Sequence, residues 1–168
     1  MKRIIILSVL AMFAAFGLIA CNSEATNSSS FTTKAAQGGM SEVQLGNLAL
    51  AKAQSADVKE FAQQMVTDHT KANNDLKAVA DKKSVALPTD TNGEQKSTLE
   101  KLSKLNGAEF DKEYVKVMVE DHETDVKEFK AQADSGTDAD VKAFAAKTLP
   151  TLQSHLDMIK GIRDRMMK

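Results

Sequence analysis

"ADVKEFAQQMVTDHTKANNDLKAVADK", residues 56–82, has the clearest helical pattern in this chain. Its apolar side chains recur at steps of four and three, the spacing that places residues on one face of an α-helix. The members of that face are Val58, Ala62, Met65, His69, Ala72, Leu76 and Val79. An unbroken stripe of this length predicts a long helix with one buried face, and it places His69 in the middle of that face.

The rest of the chain beyond residue 38 also follows helical spacing, with no sustained strand alternation and only two prolines, Pro88 and Pro150. Long helices are predicted at about residues 40–54, 56–82, 109–133 and 139–166. The crossover at residues 84–106 contains a short amphipathic helix, "EQKSTLEKLSKL". Pro150 lies inside the last helix and is expected to bend it near residues 146–149. The predicted fold class is all-α: a ferritin-like four-helix bundle of two helical hairpins joined by a crossover with a short extra helix.

The two predicted hairpins resemble each other in sequence. "ADVKEFA" at residues 56–62 matches "ADVKAFA" at residues 139–145, and each copy opens a helix that follows a hairpin turn. Extending the alignment to "AKAQ" and "FKAQ", which precede those turns, sets Glu42 opposite Glu120. These short matches indicate a duplicated hairpin.

All three histidines of the chain are predicted to face the core. "MVTDH", which ends at His69, returns as "MVEDH", which ends at His122, and the alignment gives both histidines the same inner position. His155 lies on the apolar stripe of the last helix. A buried imidazole needs a partner for each ring nitrogen, because an unsatisfied one costs about 1–3 kcal/mol. Two explanations stay open: each histidine bonds to a neighbouring carbonyl, hydroxyl or carboxylate, or the histidines meet around a metal ion.

Residue counts from the hairpin turns show which side chains can meet. They place Glu42 and His69 at nearly the same height along the bundle axis. The heights of His155 and His122 differ by roughly 7 Å. The predicted metal site therefore joins Glu42, His69 and His122, and His155 completes it if the bend at Pro150 corrects the offset. Such a histidine-rich site suits zinc, copper or iron.

Four side chains near such a site each have two possible roles. Met65 and Met118, one turn before a histidine, would add sulfur ligands that favour copper(I), although methionines at helical spacing usually fill a core. Asp68 and Asp121 lie one residue off the inner stripe. They are expected to hold a backbone amide or a solvated partner, or else to orient an imidazole.

The N-terminal stretch "MKRIIILSVLAMFAAFGLIAC" combines a basic start, an apolar run and a cysteine after small residues, which is typical of a secretory signal. Its end, "LIAC", resembles the bacterial lipobox, and this resemblance implies cleavage before Cys21 and a lipid on the Cys21 sulfur. Asn22, in place of aspartate, favours the outer membrane by the same resemblance. An uncleaved span and an ordinary signal peptide are the alternatives. We therefore expect a signal peptide at residues 1–20, a flexible polar tether at 21–33 and the bundle at 34–168, lipid-anchored on the periplasmic side of the cell envelope.

Composition excludes several classes of function. Without Lys2 and Arg3 the chain has 20 basic and 23 acidic side chains, no basic cluster and no tryptophan, so nucleic acid is not an expected partner. Cys21 is the only cysteine, so no intramolecular disulfide is possible. No Ser–His–Asp grouping or glycine-rich phosphate loop is visible, so an enzyme is not indicated. Beyond the membrane, the sequence indicates no partner.

Three separated stretches carry a family resemblance. "GGMSEVQLGNLALAKAQSADVKEFAQQMVTDH", "FDKEYVKVMVEDHETDVKEF" and "VKAFAAKTLPTLQSHL" are similar to the bacterial domain of unknown function 4142 family, over about residues 34–160. The resemblance implies a secreted or envelope bundle of ferritin-like fold, with no established activity. Glu42, His69, His122 and His155 are among the matching positions.

The chain departs from the well-known ferritin-like enzymes. Their di-iron sites need a Glu-x-x-His step on two helices, but Val66, Val119 and Leu152 stand three residues before the histidines. A ferroxidase or oxygenase is therefore not expected. Two classes stay open: a structural or interaction bundle of the envelope, which the sequence favours, and a bundle that binds or buffers a transition metal through its inward histidines.

Overall fold

A computed structural model describes the backbone of residues 20–168 and the side chains of residues 28–168. The described part consists of five α-helices and contains no strand, which confirms the predicted all-α class. They are α1 (Ala20–Lys52), α2 (Ala56–Lys82), α3 (Gly93–Ser103), α4 (Gly107–Ser135) and α5 (Ala139–Met166). The predicted signal peptide, apart from the backbone of Ala20, and the side chain of Cys21 lie outside this part. No helix among the described residues has the length and apolar composition that crossing a membrane requires.

The start of α1 corrects the prediction. The sequence predicts a first helix from about Met40 and a flexible tether at residues 21–33, whereas the chain is already helical at Ala20, the first described residue. Phe31 and Thr32 are buried, and the Phe31 ring packs edge-on against Phe129 with 5.0 Å between ring centroids. The composition of the segment is polar, but one aromatic side chain docks its C-terminal half onto α4. The folded domain therefore includes residues that precede 34.

The helices form two antiparallel hairpins, α1–α2 and α4–α5, and residues 83–106 join them through α3. Around the bundle the order is α1, α2, α5, α4. Contacts near the ends of α2 and α5 show that these helices are antiparallel, because Asp57 pairs with Arg165 at 2.6 Å and Lys83 pairs with Asp138 at 2.6 Å. The arrangement is the predicted ferritin-like connectivity. α5 continues through Pro150 as a single helix, and Pro150 is exposed.

Two local features fix the position of α1 against α2. The buried carboxylate of Asp111, on α4, accepts hydrogen bonds from the backbone N–H of Gln54 at 3.1 Å and of Ser55 at 2.8 Å, which holds the turn between the helices. Gly46 lets the helix axes approach, since a Cβ there would lie 2.8 Å from a methyl carbon of Val66. This close approach lies one turn of α1 from Glu42.

The bundle interior has two apolar clusters. The larger cluster contains Leu45, Met65, Met118, Leu156 and their neighbours, and the smaller contains Phe31, Leu76, Phe129, Phe144 and Leu152 among others. In every long helix, one buried ionisable residue lies in sequence between members of the two clusters. These four residues, which are Glu42, His69, His122 and His155, form a polar layer across the bundle.

Candidate metal centre

Each long helix contributes one side chain to the polar layer: Glu42 from α1, His69 from α2, His122 from α4 and His155 from α5. All four are buried, with relative exposures of 3%, 5%, 0% and 0%. The unbroken stripes predicted for α2 and α5 explain why two of the histidines face inward, and the repeated pentapeptide explains the third.

The three imidazole rings meet at the centre of the bundle. Their centroids lie 5.8 Å apart for His69 and His122, 5.3 Å for His69 and His155, and 5.6 Å for His122 and His155. One ring nitrogen of each histidine lies within 4.8 Å of one ring nitrogen of both others. Glu42 borders this group, because its Oε2 is 2.8 Å from His69 Nδ1 and its Oε1 is 3.6 Å from His122 Nε2.

In each ring, one nitrogen has a partner and the other has none. His69 Nδ1 donates to Glu42 Oε2, His122 Nδ1 donates to the carbonyl of Met118 at 2.9 Å, and His155 Nε2 donates to Asp68 Oδ2 at 2.9 Å. The atoms without a partner are His69 Nε2, His122 Nε2, His155 Nδ1 and Glu42 Oε1. A histidine that binds a metal donates its other ring N–H to a carbonyl or carboxylate, as all three do here.

Electrostatics keep the rings neutral at pH 7. Burial lowers the pKa of His69 to about 4 and that of His122 to about 3, and it also lowers the pKa of His155. Burial, followed by the charge of Asp121, raises the pKa of the Glu42 carboxyl well above its usual range. Neutral imidazole is the form that donates a lone pair to a metal ion. The free nitrogens are therefore available as ligands without loss of a proton.

The residue counts put His155 at a different height from His122, but its ring lies beside those of His69 and His122. His122 lies 13 residues before the last residue of α4, and His155 lies 16 residues after the first residue of α5. Residues 136–138 are not helical and are left out of this count. The offset between His122 and His155 is then three residues, roughly 4.5 Å along the helix axis. Imidazole side chains span that distance, and α5 needs no interruption at Pro150 to bring His155 inward.

The carboxylates near the site have distinct positions. Asp68 orients an imidazole, which was one of the roles expected for it, because its Oδ2 accepts a hydrogen bond from His155 Nε2. Asp121 lies on the α3 side of the layer, where burial, followed by the charges of Glu120 and Glu94, raises its pKa to about 6. Glu120, which the repeat alignment sets opposite Glu42, is exposed and takes no part in the layer.

The sequence analysis missed Asp125 and Tyr114. Burial, followed by the charge of Glu42, raises the pKa of Asp125 well above its usual range. Asp125 lies three residues after His122, a spacing that places it on the same face of α4, so helical spacing was the signal that could have found it. Tyr114, two turns before His122, is buried with an unpaired hydroxyl, and burial raises its pKa.

Met65 and Met118 are fully buried in the larger apolar cluster. The part of Met118 that touches the site is its backbone carbonyl, which accepts the His122 Nδ1–H. Core filling is therefore the role that these contacts support for both methionines.

Comparison with known proteins places the fold and the family. The crystal structure of a DUF305 fragment from Deinococcus radiodurans is similar with a TM-score of 0.73 and 14% sequence identity, over 83% of this chain and 96% of that chain. A DUF305 protein from Streptomyces coelicolor is similar with a TM-score of 0.71 and 14% identity, over 83% of this chain and 92% of that chain. At this identity the likeness concerns the fold alone. No curated protein matches the sequence. Residues 20–162 match the family described as domain of unknown function 4142, and this chain therefore belongs to that family.

Proposed function

We propose that this protein binds one divalent transition metal ion, zinc in the first instance, through His69, His122, His155 and Glu42. The observation that carries the proposal is a set of four buried nitrogen and oxygen atoms that have no hydrogen-bond partner. Each long helix contributes one of these atoms to the polar layer. An unpaired buried polar atom costs about 1–3 kcal/mol, so four of them in one layer are expensive unless something binds there.

The donor set suits zinc. Imidazole nitrogens and a carboxylate oxygen are ordinary zinc ligands, and structural zinc is almost always four-coordinate and tetrahedral. Zinc–nitrogen bonds of about 2.0–2.1 Å place the nitrogens of such a site roughly 3.4 Å apart. The three histidines offer ring nitrogens within 4.8 Å of one another, and a bound zinc ion would draw these nitrogens closer together. Glu42 Oε2 holds the His69 ring while Oε1 is free to face the ion.

The alternative is a structural or interaction bundle whose histidines are satisfied core residues. That account requires a partner for both nitrogens of each ring. Each ring has only one partnered nitrogen, and this difference favours metal binding.

The test is a zinc titration of the full chain, purified in detergent without a histidine tag. We expect saturable binding of one ion per chain and a higher melting temperature. His122→Gln should lose more affinity than the ~10–100-fold that is typical when a residue that only orients a metal ligand is changed. Glu60→Gln, an exposed change on α2, is the control and should bind as the wild type does. Absence of saturable binding in the wild type would leave the histidines as core residues of a structural bundle.

We further propose that the protein is lipid-anchored through Cys21 on the periplasmic side of the cell envelope, with the outer membrane favoured. The support is the sequence pattern of a basic start, an apolar run and "LIAC". Cys21→Ser should abolish labelling with a lipid precursor and leave the chain unprocessed. A variant that is cleaved and fractionates with the membrane as the wild type does would contradict the anchor.

A further inference from the structure

We propose that an acidic groove bounded by α1, α3 and α4 is the passage by which a divalent cation enters and leaves the three-histidine centre. The inference rests on the proposed metal binding and adds a route to it. The bound ion would therefore be exchangeable cargo, although its ligands are buried.

The groove is a solvent-exposed cavity of about 360 Å³. Its acidic lining residues are Glu42, Glu94, Asp121, Asp125 and Glu128, and the one basic residue among those lining it is Lys34, which pairs with Glu128 at 2.8 Å. Among the described side chains, Lys and Arg form no ion pair with Glu94, Asp121 or Asp125. Glu94 and Asp121 therefore give the outer part of the groove negative charge without a basic partner, and this charge attracts cations and repels anions.

Glu42 connects the groove to the centre. It lines the groove, it is only 3% exposed, and its Oε1 has no hydrogen-bond partner. A second cavity, of about 20 Å³, lies beside His69 and is large enough for one water. Residues that line both cavities are Ala35, Gly38, Glu42, Asp125 and Phe129. Glu42 and Asp125, whose carboxyl groups are hydrogen-bonded to each other, separate the two cavities, so an ion that passes from the groove to His69 would cross between these two side chains.

Charge along the path explains how an ion would be captured. Asp121 lines the groove, and among the described side chains no Lys or Arg pairs with it. A cleft lined by one sign of charge raises the association rate of an oppositely charged ligand by about 10–10³-fold, and the effect weakens with salt. Asp121 is therefore the capture residue at the outer end of the path, and Glu42 receives the ion at the inner end.

Gly38 is the point at which the path can be closed. It lines both cavities, and a Cβ built on it meets no atom within 4 Å. A larger side chain at this position therefore projects into the passage without a clash of its first carbon, and it replaces a poor helix former within α1. Gly38→Leu is the variant that separates passage from binding.

The experiment measures loading and release of Zn²⁺ by the full chain, with stopped-flow mixing for loading and a chelator chase for release. Gly38→Leu should slow both rates by roughly tenfold or more, because passage then requires local opening of the helices. The equilibrium dissociation constant should stay unchanged. Ala51→Leu, an exposed change elsewhere on α1, should leave both rates unchanged. Melting temperatures show whether each variant is folded.

A second variant tests the charge. Asp121→Asn should slow loading by roughly tenfold at low salt and reduce its salt dependence, with release little changed. Asp157→Asn, an exposed change on α5 outside the groove, is its control.

The outcomes separate the route from the site. If the wild type binds one ion but folded Gly38→Leu loads and releases at the wild-type rates, the ion uses another path and this inference is overturned while the metal centre stands. If the wild type shows no saturable binding, the proposed function fails and the route fails with it.

Discussion

At the scale of single residues, the centre depends on which nitrogen of each ring is held. The helical stripes and the repeated pentapeptide predicted that His69, His122 and His155 face inward, and they are buried. The pairing of each ring could not be predicted, because it depends on how neighbouring helices are rotated. Asp68 illustrates this point: it lies off the inner stripe of α2, yet it reaches across to α5 and fixes the tautomer of His155.

Asp125 was missed for a related reason. Its partner in the structure is the Glu42 carboxyl of a different helix, and a sequence read one helix at a time contains no information on such a pairing. The level of His155 was misjudged because the length of a non-helical turn cannot be read from residue counts. The candidate ligands were thus predictable from the sequence, whereas their arrangement depends on how the helices pack.

The depressed pKa of His69 predicts a pH-dependent stability of the metal-free protein. Its pKa is about 4 in the folded state and about 6.5 in an unfolded chain. Between these values the unfolded chain binds more protons, so the contribution of His69 to stability is complete above pH 6.5 and is lost as the pH falls toward 4. Glutamine has no such titration. The free energy of unfolding of the wild type, relative to His69→Gln, should therefore fall by about 2 kcal/mol between pH 7 and pH 5.

Urea denaturation of both proteins, after removal of metal by a chelator, measures this difference. A difference that is the same at pH 7 and pH 5 would show that His69 titrates alike in the folded and unfolded states, which a buried imidazole does not do.

At the scale of helices, side-chain caps determine where α3 and α5 begin. α5 begins where predicted because the Asp138 side chain accepts hydrogen bonds from the backbone N–H of Asp140 and Val141, both at 3.1 Å. α3 begins at a capping box formed by Asn92 and Gln95. The described N-terminal part of α1 has a polar sequence, and part of this helix depends on packing of Phe31 against another hairpin. Local chemistry was therefore sufficient for α5, and tertiary packing decided α1.

The α1–α2 turn depends on a carboxylate from another helix, which gives a prediction for Asp111. Asp111→Ala removes the acceptor for the backbone N–H groups of Gln54 and Ser55. Bonds to a charged acceptor contribute about 1.5–3 kcal/mol each, so the loss of both should lower the free energy of unfolding by about 3–6 kcal/mol. Chemical denaturation monitored by circular dichroism measures it. Asp57→Ala is the matched control: its exposed ion pair with Arg165 is worth at most about 1 kcal/mol. Equal losses for the two variants would mean that Asp111 does not hold the turn.

At the scale of the whole molecule, a polar layer divides the apolar interior into two clusters. Bundle connectivity puts one side chain from each long helix into that layer, so an ion bound there would join both hairpins. Such an ion stabilises the fold by an amount that grows with the logarithm of its free concentration. The unpaired atoms of the layer therefore lower the stability of the metal-free protein, and an ion bound there would link the two hairpins.

If His69, His122 and His155 bind one ion, the number and type of atoms around that ion will show it. X-ray absorption at the zinc edge, on the full chain loaded with one equivalent of zinc, should show three imidazole nitrogens at about 2.0–2.1 Å and one oxygen ligand. His155→Gln, measured in the same way, should show one imidazole fewer. A wild-type spectrum with one imidazole or none, or one that His155→Gln leaves unchanged, would contradict a centre built from His69, His122 and His155.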